Sequence, residues 1–77
     1  MRESLVYWTR ELREIIKSRR ATLKITQLDL AEMAEVGLAT VKDIERGKGN
    51  PSLATIVKLL DVLGMEIDYR IKQIHNL

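Results

Sequence analysis

The stretch from Ile25 to Glu45, ITQLDLAEMAEVGLATVKDIE, decides the fold. Thr26 stands ahead of Gln27, Leu28, Asp29 and Leu30 as an N-cap residue, and Asp29 three positions on completes a capping-box pattern with Asp in place of the usual Glu or Gln. A short helix is therefore expected over residues 27–34, with Leu30, Ala31 and Ala34 small or apolar enough for close packing. Glu35-Val36-Gly37 is the turn. Apolar spacing then resumes in a helix over residues 38–45, which sends Val41 and Ile44 inward and leaves Leu38, Ala39, Thr40, Lys42 and Asp43 freer of the core.

Outward from this pair, Leu5, Tyr7 or Trp8, Leu12, Ile15 and Ile16 recur at the spacing of one helical face, predicting a first helix from about Ser4 to Arg19 or Arg20. Core packing is the role expected of Tyr7 and Trp8. The β-branched run from Ala21 to Ile25 is read as its end. On the other side, Arg46-Gly47-Lys48-Gly49-Asn50-Pro51-Ser52 holds two glycines and the single proline, so it is a loop, with Gly47 as a helix C-cap. Ser52 caps a fourth helix whose predicted inward residues are Leu53, Ile56, Val57, Leu59, Leu60 and Leu63, and Gly64 stops it. Beyond Gly64 the period changes from three-and-four to two. Met65, Ile67, Tyr69 and Ile71 alternate with Glu66, Asp68, Arg70 and Lys72, which reads as a β-strand over residues 65–72. A lone strand leaves its backbone unpaired, so the economical arrangement is a homodimer in which Ile67, Tyr69 and Ile71 are buried against a two-fold mate; a frayed tail or a continuing helix is the alternative. The expectation is one all-α domain over 1–77, with a core over about 4–64 and a dimerisation strand after it.

Seventy-seven residues hold one hydrophobic core, which excludes a multi-domain enzyme. There is no cysteine and His75 is the only histidine, so neither a disulfide framework nor an ordinary zinc site is available, and no metal or other cofactor is expected. No nucleophile, base and phosphate loop come together, so the chain does not read as an enzyme. With 45% hydrophobic and 31% charged residues it has the balance of a globular domain. It lacks an apolar run of membrane-spanning length and a signal peptide, and is expected in the cytoplasm. The net charge of +2 is small but uneven: Lys17, Arg19, Arg20 and Lys24 form a basic run, whereas residues 26–45 carry five acids against Lys42 alone.

Two short helices joined by three residues have the helix-turn-helix spacing, in which the second helix enters a DNA major groove. The details are more specific. Arg20, Ile25-Thr26-Gln27-Leu28-Asp29-Leu30-Ala31, Val41, Ile44-Glu45-Arg46-Gly47, Asn50-Pro51-Ser52, Leu53, Ile56 and Leu63-Gly64 resemble the Cro/repressor (xenobiotic-response-element type) family of transcriptional regulators, over roughly residues 12–64.

The resemblance implies a compact four-helix, lambda-repressor-like domain that binds double-stranded DNA at an inverted-repeat operator. It places Thr26 and Gln27 at the start of the second helix, toward a phosphate or in support of base-reading side chains. The base-reading positions become Leu38, Ala39, Thr40, Lys42 and Asp43, with Lys42 toward guanine and Thr40 toward a phosphate or a thymine methyl. Lys48, Asn50 and Ser52 fall where relatives hold the phosphate backbone, Arg46 is counted with the DNA-binding residues, and Arg20 with Glu45 matches a structural salt bridge. The chain departs from the family where relatives carry glutamine, serine or arginine and it has Gly37, Leu38 and Ala39, and where Glu35 replaces a glycine. Hydrogen-bonding readout is then sparse, and specificity leans on DNA shape. The terminal strand adds a resemblance to HipB-type antitoxins, which repress their own operon and bind a HipA-type kinase toxin; a stand-alone dimeric repressor is the alternative. A third reading is a protein-interaction module that keeps the fold without specific DNA binding, suggested by the acidic second and third helices and the apolar Leu38-Ala39 pair.

Overall fold

The computed structural model describes residues 2–68 and 71, and of residues 2–9 the backbone alone. Four helices follow one another: α1 Arg2–Leu23, α2 Gln27–Ala34, α3 Leu38–Glu45 and α4 Leu53–Val62. The core is apolar but for the Glu45 carboxylate, the one buried charged group among the described residues. Ile16 from α1, Leu30, Ala31 and Ala34 from α2, Val41 and Ile44 from α3, and Ile56, Leu59, Leu60 and Leu63 from α4 and its end are buried together. The alanines of α2 keep it close to both α3 and α4, which makes α2 the centre of the packing. Burying one such Leu or Ile contributes about 1.5–3 kcal/mol.

Two expectations are corrected. The first helix does not stop at Arg19 or Arg20 but continues to Leu23. Thr22, whose β-branch suggested a break, sends its hydroxyl back to the Ser18 carbonyl at 3.0 Å and so stays within the helix. Termination comes at Lys24, held at φ 57°, with its N–H on the Ala21 carbonyl and the Ile25 N–H on the Arg20 carbonyl. That is a Schellman cap built without glycine. The second correction concerns α4: Leu53 and Val57, assigned inward, are 55% and 47% exposed. Six apolar positions exceed the one face that α2 covers.

Of the strand expected over residues 65–72, residues 65–68 and 71 carry no strand, and Tyr69, Arg70 and Lys72 lie outside the described residues. Met65 and Ile67 instead lean half-buried on the core of their own protomer. The expected packing of Leu5, Tyr7 and Trp8 likewise falls on side chains outside those described. Among the described residues no helix is long and apolar enough to cross a membrane.

Candidate nucleic-acid interface

The capping box at α2 closes as a reciprocal pair: the Asp29 N–H donates to Thr26 Oγ1 at 3.0 Å, and the Thr26 N–H donates to Asp29 Oδ2 at 2.8 Å. That backbone donor, with the Thr26 side chain after it, lowers the Asp29 carboxyl below its ordinary range. The end of α2 is set by Glu35 at φ 57° and ψ 45°, its N–H on the Glu32 carbonyl and the Val36 N–H on the Ala31 carbonyl. A side chain in this left-handed conformation costs about 1–2 kcal/mol, a cost that glycine would avoid. Val36 and Gly37 then turn the chain into α3. Gly37 has no side chain to cap α3, so the first amides of that helix remain open to an acceptor from outside.

One buried charge ties the two helices to α1. Glu45, 2% exposed, takes Arg20 Nε at 2.8 Å on Oε2 and Arg20 Nη2 at 2.9 Å on Oε1. Arg20 Nη1 donates onward to the Ile25 carbonyl at 3.1 Å, at the foot of α2. Gln27 Nε2 adds a third donor to Glu45, at 3.1 Å on Oε1. The hydrogen bond to Glu45 raises the Arg20 guanidinium above its already high ordinary value, with burial opposing and the Coulombic attraction adding. The bidentate geometry, not simple proximity, makes Arg irreplaceable by Lys here. The arrangement fixes α3 against α1 and α2 by directional contacts at the end from which the following loop departs.

On the outer side of α3, Ala39 and Lys42 are exposed and Thr40 and Asp43 half-buried. Leu38, grouped in the sequence with the outward positions, leans half-buried against the core. The loop after α3 folds back onto the helix: the Lys48 N–H donates to the Asp43 carbonyl at 2.7 Å, and the Gly47 N–H to the Ile44 carbonyl at 3.0 Å. Gly47 follows the cap residue Arg46 and sits at φ 75°. A Cβ on it would lie 2.7 Å from Arg13 Nη1, the end of a flexible side chain that can move aside, so it is the backbone angle that favours glycine. The result is an open depression of about 180 Å3 lined by Thr40, Asp43, Ile44, Lys48, Gly49, Asn50 and Pro51. It brings four of the sequence-predicted positions, Thr40, Asp43, Lys48 and Asn50, to one place.

Other predicted positions are occupied with local work. Thr26 is committed to the α2 cap, and Ser52 accepts from the Thr55 N–H at 3.1 Å and donates to Thr55 Oγ1 at 3.0 Å. Arg46 is paired with Asp43 at 2.6 Å on the surface, which offsets the one acid on the α3 outer face. Gln27 turns its amide inward to Glu45, leaving its carbonyl oxygen as the group it offers elsewhere. The basic run of α1 is divided: Arg20 serves the buried pair, and Arg19 donates through Nε and Nη2 to the Leu63 carbonyl at 3.1 and 2.9 Å, closing the end of α4. Nothing local in the sequence marks Arg19 for this, because its acceptor lies 44 residues away. Among the described residues no group of His, Cys, Asp and Glu is arranged to hold a metal ion.

The helix pair, its turn and the buried Arg20–Glu45 tie coincide with a known pattern: the model of the Helix-turn-helix family matches residues 16–70. The chain belongs to the Cro/C1-type helix-turn-helix family. It is similar to the immunity repressor protein of Bacillus phage phi105, with 40% identity over 52 residues that make up 68% of this chain and 36% of that protein. It is also similar to the cryptic phage CTXphi transcriptional repressor RstR of Vibrio cholerae serotype O1, with 29% identity over 58 residues, 75% of this chain and 52% of that protein. The helix-turn-helix chain thus spans between a third and about half the length of these relatives.

Proposed function

We propose that the protein is a sequence-specific DNA-binding transcriptional regulator, acting in the cytoplasm as a homodimeric repressor of its own operon. Its α3 enters the major groove of each half-site of an inverted-repeat operator, and two-fold symmetry sets the two helices about 34 Å apart. The observation that carries this reading is the outer face of α3. Ala39 and Lys42 are exposed on it and Thr40 and Asp43 share one depression with Lys48, Gly49 and Asn50, while the inner face of the same helix is locked by Val41, Ile44 and Glu45. Lys42 reads guanine, Thr40 and Ala39 approach a phosphate and a thymine methyl, and Lys48 with Asn50 holds the backbone. Gln27 supports the interface from α2 through Glu45. As the antitoxin of a HipA-type kinase it would use the same DNA face; the names of the two phage repressors support the stand-alone repressor.

A salt titration of binding tests this. On a log–log plot, affinity for operator DNA is expected to fall with a slope set by the phosphates neutralised, about six to ten per dimer. Lys42→Ala should lower the ratio of specific to nonspecific binding, by about 1–3 kcal/mol at one base position, whereas Lys48→Ala should weaken both alike and reduce the slope by about one. A flat salt response would point to the interaction-module reading. Unchanged discrimination in Lys42→Ala would move base reading to other residues.

A further inference from the structure

At about 3.6 residues per turn, the ridge of α3 opposite buried Val41, Ile44 and Glu45 is formed by Ala39 and Asp43, and the cap residue Arg46 continues it. Thr40 and Lys42 flank this ridge on either side. The centre of the face assigned to DNA therefore carries an acid. A carboxylate is unfavourable there on two counts: it stands in the last turn of α3, where the helix dipole repels negative charge, and on a surface that approaches phosphates. The fold holds it in a defined place all the same. Arg46 Nη2 donates to Asp43 Oδ1 at 2.6 Å, and the Lys48 N–H donates to the Asp43 carbonyl at 2.7 Å. The Asp43 side chain is 46% exposed, and its Oδ2 takes no hydrogen bond among the described residues.

We propose that Asp43 is a specificity-determining residue that accepts from the N4 amino group of a cytosine in each half-site, and that Arg46 is its positioning residue. The proposal rests on the DNA-binding reading above and names one base pair of the operator. A carboxylate offers acceptors alone, so it needs a donor on the groove floor. Guanine presents N7 and O6 and thymine presents O4, all acceptors, which repel it. Adenine presents its N6 amino group with the N7 acceptor alongside, whereas cytosine presents the N4 amino group and no acceptor. Cytosine is thus the base that meets Oδ2 with a donor unopposed. Arg46 offsets the carboxylate near the phosphates and, through its bond to Oδ1, sets the direction in which Oδ2 points. An exposed pair of this kind adds little to stability, which leaves shielding and orientation as its contribution.

The test is selection of bound sites from randomised double-stranded DNA by the full chain, with folding of each variant checked by helical circular dichroism. The wild type should select an inverted repeat in which one C·G pair of each half-site is preferred about tenfold over its alternatives. Asp43→Ala should lose the preference at that base pair alone and bind unselected DNA about threefold more tightly, because a negative charge leaves the surface. That gain runs opposite to the effect of Lys48→Ala. Asp43→Asn should move the preference to adenine, whose N6 and N7 an amide meets with one acceptor and one donor. Arg46→Lys keeps the charge without the planar fork, and should narrow the cytosine preference while holding affinity for unselected DNA. A wild type that enriches no sequence would overturn the DNA-binding reading and this assignment with it. An enriched site that Asp43→Ala and Asp43→Asn leave unchanged at every position would overturn the assignment alone. A cytosine preference undiminished in Arg46→Lys would overturn the positioning role of Arg46.

Discussion

Replacing Glu45 by alanine is expected to destabilise the protein by about 3–5 kcal/mol, because it leaves the Arg20 guanidinium in a largely buried site without its bidentate acceptor. Arg20 would keep only the Ile25 carbonyl, and Gln27 would lose the acceptor for its amide. A domain of this length has a total stability of about 4–12 kcal/mol, so the loss takes a large share of it. Thermal unfolding should show the midpoint falling by between about 12 and 40 °C. The double variant Arg20→Met/Glu45→Leu should recover most of the loss, since an apolar pair of similar volume avoids both the stranded charge and its desolvation. A midpoint unchanged in Glu45→Ala would mean that the ion pair is not what holds α3 against α1. Glu45 is buried and does not itself reach the surface assigned to DNA, so any loss of DNA binding in the variant comes through the α3 packing and the Gln27 side chain that it holds.

The second large effect is expected at the tail. Ile67→Asp puts a carboxylate among Val57, Leu60 and Met65, beside Asp61 and Glu66. Without a second copy the protein presents one α3 at a time, and operator affinity loses the effective concentration that links two half-sites, a loss of about 100- to 10,000-fold. Sedimentation should show a monomer that retains its helical circular dichroism, and titration on operator DNA should show the loss of affinity. A variant that still sediments as a dimer would move the interface elsewhere, toward the exposed Leu53 and Val57 of α4.

The limits of α2 and α3 were legible because each is marked by local chemistry: the Thr26–Asp29 capping pair, the Glu35-Val36-Gly37 turn, and Gly47 after the last turn. The end of α1 was not, because a lysine in a left-handed conformation does the work that glycine announces elsewhere, and Thr22 satisfies itself within the helix. Apolar spacing identified α4 as a core helix but not its width. Which of six apolar residues are covered depends on where α2 lies, so Leu53 and Val57 read as core and stand in solvent. The interface shows the same division. The residue types on α3 and its loop were visible in the sequence, whereas the inward turn of Gln27 and the lean of Leu38 toward the core are set by packing between helices. The basic run of α1 looked like one patch, yet its two arginines serve different partners inside the fold.

The most direct test of the central claim is a footprint of the purified full chain on DNA taken from just upstream of its own gene, at low and at moderate salt. Two protected half-sites one helical turn apart, related by an inverted repeat, are expected, with protection fading as salt rises. No protection at low salt would contradict it, and would assign the exposed face of α3 to a protein partner instead of DNA.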